Sequence, residues 1–305
     1  VFDIAELDDV IIQRTDGTPT YNFVVVVDDS EMGITHVIRG DDHLSNTPRQ
    51  CLLYDALGYP RPKFTHISMI LGQDKSRLSK RHGATSALAY RDMGYLPDAM
   101  INYLARLGWS HGDQEIFSRE ELIKHFSFDS VNTSAAIFDG DKLSWVNEQY
   151  IQSTQPEDLA KYLGPQLIKS GVLPEGHGLS PQEIAKVIPC LNQRAKTLVE
   201  MAEKSAFFFK QDVEFDEKAR NKFLTEEARP LLEKVIAGFS TLDDFSSDNI
   251  EILFKKIVEE EGIKLGKLAQ PVRVALTGTT VSPGIYDVIL LLGKEETIKR
   301  LGNCL

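Results

Sequence analysis

The strongest chemical signal in the chain is a cluster of cations, Lys75, Arg77, Lys80 and Arg81, in the stretch Gln73-Asp74-Lys75-Ser76-Arg77-Leu78-Ser79-Lys80-Arg81-His82-Gly83. A basic loop with small residues can close over a triphosphate, neutralise the charge on a leaving pyrophosphate, and reopen for release. Short basic runs are also common as solvated surface, so charge by itself leaves both readings open. A second group is Arg39-Gly40-Asp41-Asp42-His43, where a predicted strand ends in an arginine and a glycine turn bearing two carboxylates and an imidazole. The arginine either captures a carboxylate through two parallel hydrogen bonds or pairs structurally with Asp41 or Asp42. The three residues after Gly40 are not read as a metal site, because consecutive side chains diverge. A third group is Tyr21-Asn22, a polar pair opening an apolar run. Tyr21 is either a pocket residue or a core aromatic with its hydroxyl at the edge.

Such groups need a scaffold, and open α/β sheets bind ligands at loops leaving the carboxyl ends of parallel strands. Residues 20–27, 34–38 and 64–70 are short, apolar and rich in β-branched side chains, and read as buried parallel strands. Between the last two, residues 47–57 carry apolar side chains at helical spacing, with Ser45 or Asn46 as caps and Gly58 as a stop. That strand, helix, strand unit places residues 1–83 in an α/β sheet. Beyond Gly83 the pattern becomes helical: 97–108 and 141–151, a linker at 153–156, then 157–169, 181–188, 191–209, 217–237, 242–261 and 283–292. Gly171, Gly238, Gly262 and Gly293 stand where C-caps belong. The fold class is therefore α/β followed by all-α, with divisions at 1–83, 84–152 and 153–305.

The bulk properties bound what this scaffold can be. A chain of 305 residues, 42% hydrophobic and 26% charged, is globular, with no apolar run near membrane-spanning length. Cys51, Cys190 and Cys304 are far apart, which fits neither a disulfide framework nor a zinc cluster and suits a reducing cytoplasm. A net charge of -11 argues against indiscriminate nucleic-acid binding. The stretch between Lys63 and Arg106 nevertheless carries a basic excess, so an acidic protein here keeps a basic working face. The start Val-Phe-Asp-Ile-Ala has neither an initiating Met nor a signal core, so the chain reads as a piece of something longer.

In their order, these residues resemble a known family. Arg77-Leu78-Ser79-Lys80-Arg81 is similar to the KMSKS loop of class I aminoacyl-tRNA synthetases, in the form usual for glutamyl enzymes, with Arg77 in place of the first lysine. Asp16-Gly17-Thr18-Pro19-Thr20-Tyr21-Asn22-Phe23 together with Val27-Asp28-Asp29 resembles the bacterial glutamyl-tRNA synthetases. Tyr95-Leu96-Pro97, Leu107-Gly108-Trp109-Ser110 and Phe138-Asp139 resemble that family's helical stem-contact region. The run Gln270 to Gly278 with Ser282-Pro283 resembles its helix-bundle anticodon-binding domain.

The resemblance implies the second part of a Rossmann-like catalytic domain, then those two helical regions. It assigns ATP binding to Arg77, Leu78, Ser79, Lys80 and Arg81, with Lys80 as the catalytic phosphate contact. Asp42 and His43 receive a supporting role at the nucleotide, and Tyr21 and Arg39 the recognition of glutamate. The implied substrates are L-glutamate, ATP entering as its Mg2+ complex, and tRNA-Glu. No protein-bound metal and no membrane partner are expected, and the chain is read as a monomer. Arg194, Lys196, Arg273 and Lys299 are candidates for RNA phosphates; the histidines at 36, 66, 82, 111, 125 and 177 read as structural or surface residues.

The family's other signature, of HIGH type, does not occur in this sequence. The resemblance therefore makes the chain the C-terminal two-thirds of such an enzyme, starting within the acceptor-binding insertion and inactive alone. A tRNA-binding fragment without catalysis is one alternative. A glutaminyl-tRNA synthetase relative is another, whose anticodon part would be built from β-barrels rather than helices.

Overall fold

Residues 20–27 form a helix where a strand is expected. In the computed structural model, which describes residues 7–79 and 86–305, α1 spans Tyr21–Glu31. A continuous apolar run does not distinguish a strand from a buried helix, and packing decides here. Asn22 and Val26 lie one turn apart: Val26 is fully buried, and the Asn22 side-chain oxygen accepts from buried Gln50 on α2, Thr47–Leu57, at 3.0 Å. The helix α2 keeps its expected bounds. Pro48 sits in its first turn, and Gly58 caps it in the left-handed conformation at φ +70°.

The two flanking strands, β1 (His36–Gly40) and β2 (Lys63–Ile67), pair in parallel from His36 opposite Lys63 to Gly40 opposite Ile67. The expected strand at 64–70 is in fact two. Its second piece, β3 (Ile70–Leu71), leaves β1 and pairs in parallel with the distant β4, Ala136–Ile137. Between them run α3 (Ala87–Asp92), α4 (Pro97–Gly108) and α5 (Arg119–His125), the last opened by a reciprocal Ser118/Glu121 capping box.

The chain divides into two compact units. The first joins the described residues up to Ser79 with Ile101–Gly140. Its interior includes Trp109, Phe117 and Leu122, and Tyr103, whose buried hydroxyl donates to the Asp139 carbonyl at 2.9 Å and accepts from the Asp139 amide at 2.7 Å. This holds the chain just past β4 in register beside β3, an anchor for the turn that follows β3.

The second unit contains Ser86–Met100 and Asp141–Leu305. It comprises α3, α4 up to Met100, α6 (Gly140–Ser153) from Asp141 on, α7 (Pro156–Lys169), α8 (Pro181–Ala185), α9 (Leu198–Phe209), α10 (Glu217–Phe223), α11 (Arg229–Thr241), α12 (Ser247–Glu261), α13 (Leu265–Thr277), α14 (Ile285–Leu292) and α15 (Lys294–Gly302). Its described residues form no strand, the helical tail that separates this chain from a β-barrel relative. The expected helix 191–209 starts only at Leu198, where the Thr197 hydroxyl caps the Glu200 amide. The expected helix 217–237 breaks between Phe223 and Arg229, and Pro230 lies in the first turn of its second half. Gly238 lies inside α11 rather than at its end; a Cβ there would stand 2.5 Å from the Leu253 side chain, so the glycine lets α12 approach closely.

Side chains from α11 to α15 make one core around Phe239, Phe254, Val272 and Val288, each fully buried and contributing roughly 1.5–3 kcal/mol if its whole side chain leaves water. Buried Asn147 of α6 ties the start of this unit to α9. Its oxygen accepts from the Leu96 amide at 2.8 Å and its amide donates to the Lys196 carbonyl at 2.6 Å.

Candidate functional site

The predicted site residues of the first unit gather around the carboxyl end of β1. Arg39 stands near the end of the strand, and Gly40 leads into a 3-10 turn, Asp41–Asn46, which runs directly into α2. The turn brings His43 beneath α1, whose first residue, Tyr21, is half-exposed with its ring centre 5.9 Å from the imidazole. Tyr21 therefore opens a helix and sits over this turn; it is neither a strand residue nor a core aromatic.

Arg39 does not pair with Asp41 or Asp42. Its Nε donates to His66 Nε2 at 3.3 Å, and its Nη2 donates to Thr47 Oγ1 at 2.8 Å and to the His43 carbonyl at 3.4 Å. Its guanidinium carbon lies 5.4 Å from the centre of the Phe64 ring. Burial pushes the Asp29 carboxyl above the usual carboxylate range, and the positive Arg39 partly offsets this. Asp42 is held elsewhere, its Oδ2 3.1 Å from Arg77 Nη1. Gly40 leaves room for that arrangement, since a Cβ on it would come within 2.6 Å of Asp42 Oδ1.

Arg77 reaches Asp42 because residues 70–78 fold back in a tight turn. Leu71 and Arg77 face each other in an antiparallel bridge, the Gly72 amide donates to the Ser76 carbonyl at 2.8 Å, and the Leu78 amide donates to the Ile70 carbonyl at 2.9 Å. Asp74 Oδ1 accepts from both the amide and the hydroxyl of Ser76, and Lys75 takes the left-handed conformation at φ +59°. Gln73 fastens the tip to the Phe138 carbonyl at 3.0 Å. The turn delivers Leu78 and Ser79 at its foot, whereas Lys80 and Arg81 lie outside the described residues.

Tyr21, His43, Arg39, Asp42 and Arg77 are thus linked through a short series of contacts, with the Arg39 guanidinium at one end and a basic turn at the other. Thr47, Phe64 and His66, which grip Arg39, had no claim from the sequence. The usable signal was register: Arg39 lies opposite His66 in the parallel pair, and Phe64 shares the His66 face two residues away.

In the second unit, Arg194 lines a groove of about 610 Å³ with Phe207, Lys204, Lys210, Thr279 and Val281. Arg273 is held by the turn after α13, its Nη1 donating to the Pro283 carbonyl at 2.7 Å and to the Ser282 hydroxyl. Lys299 pairs with Glu296 at 3.6 Å on α15, and Lys196 contributes its carbonyl to the Asn147 link. These four cations have different settings, and only Arg194 lines the groove.

Residues 1–145 match the family model for tRNA synthetases class I (E and Q), catalytic domain, and residues 158–305 match the anticodon binding domain. A glutamate–tRNA ligase of Geotalea uraniireducens is 58% identical over 304 residues, covering 100% of this chain and 64% of the relative. One from Geobacter sulfurreducens is 55% identical over 300 residues, again covering 64% of that protein. The crystal structure of a glutamate tRNA ligase from Elizabethkingia meningosepticum, in complex with its amino acid, superposes with a TM-score of 0.81 at 34% identity, covering 98% of this chain and 62% of that one. The chain therefore spans about 64% of the length of the curated relatives it matches. Matched first by the class I tRNA synthetase (E and Q) catalytic model and then by the anticodon model, the chain joins these two regions in order and is more than half identical along its length to these glutamate–tRNA ligases.

Proposed function

We propose that this chain serves as the glutamate-recognising, ATP-binding and tRNA-binding part of a glutamate–tRNA ligase. The observation that carries the reading is the convergence of Arg39, Tyr21, His43 and the Asp42–Arg77 pair around the end of β1. Arg39 presents a fixed guanidinium to the side-chain carboxylate of L-glutamate, and Tyr21 closes the same side of the pocket. Asp42 and His43 support the nucleotide, while Arg77, Leu78, Ser79, Lys80 and Arg81 line the triphosphate. The second unit binds tRNA-Glu, in keeping with the anticodon model it matches.

In this reading the α-carboxylate of glutamate attacks the α-phosphorus of ATP, which enters as its Mg2+ complex. An oxygen–phosphorus bond forms, pyrophosphate leaves, and the glutamyl group then passes to a terminal ribose hydroxyl of tRNA with release of AMP. No side chain acts as nucleophile. The protein holds the reactants in line and stabilises the charge that builds on pyrophosphate, the task of Lys80. The test is glutamate-dependent ATP–pyrophosphate exchange in the full-length ligase carrying this chain. Lys80→Ala is expected to slow exchange roughly a hundredfold or more, the scale for losing one such charge contact, with little change in the KM for glutamate. An unchanged exchange rate would refute the assignment.

A further inference from the structure

The grip on Arg39 is more specific than its assigned task requires. A guanidinium has two edges able to bind a carboxylate, Nε with one terminal nitrogen, and the two terminal nitrogens together. Here the Nε side is already taken by His66 Nε2, and Thr47 Oγ1 accepts from Nη2. Nη2 also donates to the His43 carbonyl at 3.4 Å, so the hydrogens left for a ligand are those on Nη1.

We propose that His66 is a positioning residue for glutamate recognition: as the neutral imidazole, unprotonated at Nε2, it locks Arg39 so that its Nη1 edge faces the substrate carboxylate. The inference rests on the reading of Arg39 given above. The geometry forces the protonation state. His66 Nε2 lies 3.3 Å from Arg39 Nε, which can only donate, and 3.0 Å from Thr47 Oγ1. The threonine oxygen accepts from Arg39 Nη2, and its own hydrogen has two acceptors in reach, the imidazole and the His43 carbonyl at 3.4 Å. The contact with Arg39 Nε needs a lone pair on Nε2, so a neutral ring carries its proton on Nδ1. A proton added at Nε2 would point an N–H at an N–H and a positive charge at a guanidinium.

The surroundings favour the neutral ring. Burial, then the positive Arg39, push the imidazole below the usual histidine range; Asp41 pulls the other way, and His43 adds to the depression. These groups come from β1 and the 3-10 turn, and Thr47 of α2 is uncharged. As pH falls through this lowered value, His66 takes up a proton and Arg39 loses its acceptor. Glutamate capture therefore weakens on the acid side of neutrality.

Three variants of the full-length ligase test this, with KM for glutamate and for ATP and the pH profile of kcat/KM measured for each. His66→Leu removes the acceptor, and the KM for glutamate is expected to rise about tenfold or more, the scale for losing a hydrogen bond to a charged group, with the KM for ATP nearly unchanged. His66→Gln keeps an accepting oxygen without titrating. It is expected to restore the KM to within a few-fold of the parent and to remove the acid limb that the parent shows in kcat/KM for glutamate. Arg39→Gln separates the two readings. If it leaves the KM for glutamate unchanged, the role of Arg39 itself falls, and His66 with it. If it raises the KM while His66→Leu stays within twofold of the parent, or if His66→Gln retains the acid limb, His66 does not position Arg39. The KM for ATP and the thermal midpoint show whether a variant has folded, and an unfolded His66→Leu leaves the decision to the His66→Gln pH profile.

Discussion

Gly278 closes α13 at φ +76°, and alanine there should be far more damaging than at Gly262, which closes α12 at φ +63°. The two positions share a backbone conformation but not a neighbourhood. A Cβ on Gly262 meets nothing within 4 Å, whereas on Gly278 it would stand 1.9 Å from the Glu214 carbonyl oxygen and 3.1 Å from Val213 Cγ1. The segment before α10 lies across the end of α13, and the Asp216 amide donates to the Gly278 carbonyl at 2.9 Å. At either site a left-handed alanine costs about 1–2 kcal/mol. At Gly278 the overlap must also be relieved by moving backbone, which forfeits that hydrogen bond, about 1 kcal/mol, and disturbs packing by about 1–3 kcal/mol more. The totals are about 3–6 kcal/mol against 1–2. At roughly 2–4 °C per kcal/mol for a unit of this size, Gly278→Ala should lower the midpoint by roughly 10 °C or more and Gly262→Ala by roughly 4 °C. Thermal unfolding of this chain, followed by helical circular dichroism, measures both. Midpoints within about 2 °C of each other would refute the steric argument, since φ alone would then explain the cost.

Other parts of the second unit allow equally direct tests. Arg300 is 4% exposed and donates to the carbonyls of Phe207, Leu276 and Lys210, at or near the ends of α9 and α13, while pairing with Glu296 at 2.7 Å. Arg300→Met strands those acceptors and should cost about 3 kcal/mol or more; a urea midpoint shifted no further than that of Lys255→Met, which breaks an exposed ion pair on α12, would count against the buried network. Burial pushes the Cys190 thiol up to about 11, and a higher thiol pKa leaves less thiolate at any pH below it. At pH 8 iodoacetamide should therefore modify Cys190 roughly a hundredfold more slowly in the folded chain than in urea, where the ordinary value of about 8.5 applies. Equal rates, read by mass spectrometry of the Cys190 peptide, would contradict that environment.

How far the fold was legible depended on whether an element carries its own boundaries. Thr47–Leu57 was readable to the residue because Asn46 at its start and Gly58 at its end punctuate it locally. Residues 20–27 were misread because four consecutive valines satisfy a buried strand and a buried helix alike, and the deciding contact, Asn22 with Gln50, spans 28 residues. The helix Leu265–Thr277 was placed in the bundle by resemblance but given no bounds, and Pro271 lies inside it, where a proline ordinarily ends a helix. Packing overrides that preference here: Leu268, Pro271, Val272, Val274, Ala275 and Leu276 are all buried.

The site divides along the same physical line. Arginine, aspartate and histidine at a strand end announce possible chemistry by identity, and so Arg39, Asp42 and His43 were candidates, which the structure places together at the end of β1. What aims them is not local. The alternative that Arg39 pairs with Asp41 or Asp42 was reasonable from sequence proximity, yet Asp42 turns to Arg77, 35 positions on, because the fold-back of residues 70–78 presents that cation. With its neighbouring carboxylate engaged, Arg39 is oriented by the neutral groups Thr47 and His66 and lies against Phe64. The difference matters for recognition. An arginine neutralised by an adjacent carboxylate has less net charge to offer a substrate acid, whereas one held by an imidazole lone pair and a hydroxyl keeps its full positive charge while losing its freedom to turn. The Asp42–Arg77 pair thus does two things at once: it links the basic turn to the 3-10 turn, and it keeps Asp42 from pairing with Arg39, as the proposed capture of an anionic substrate by that arginine requires.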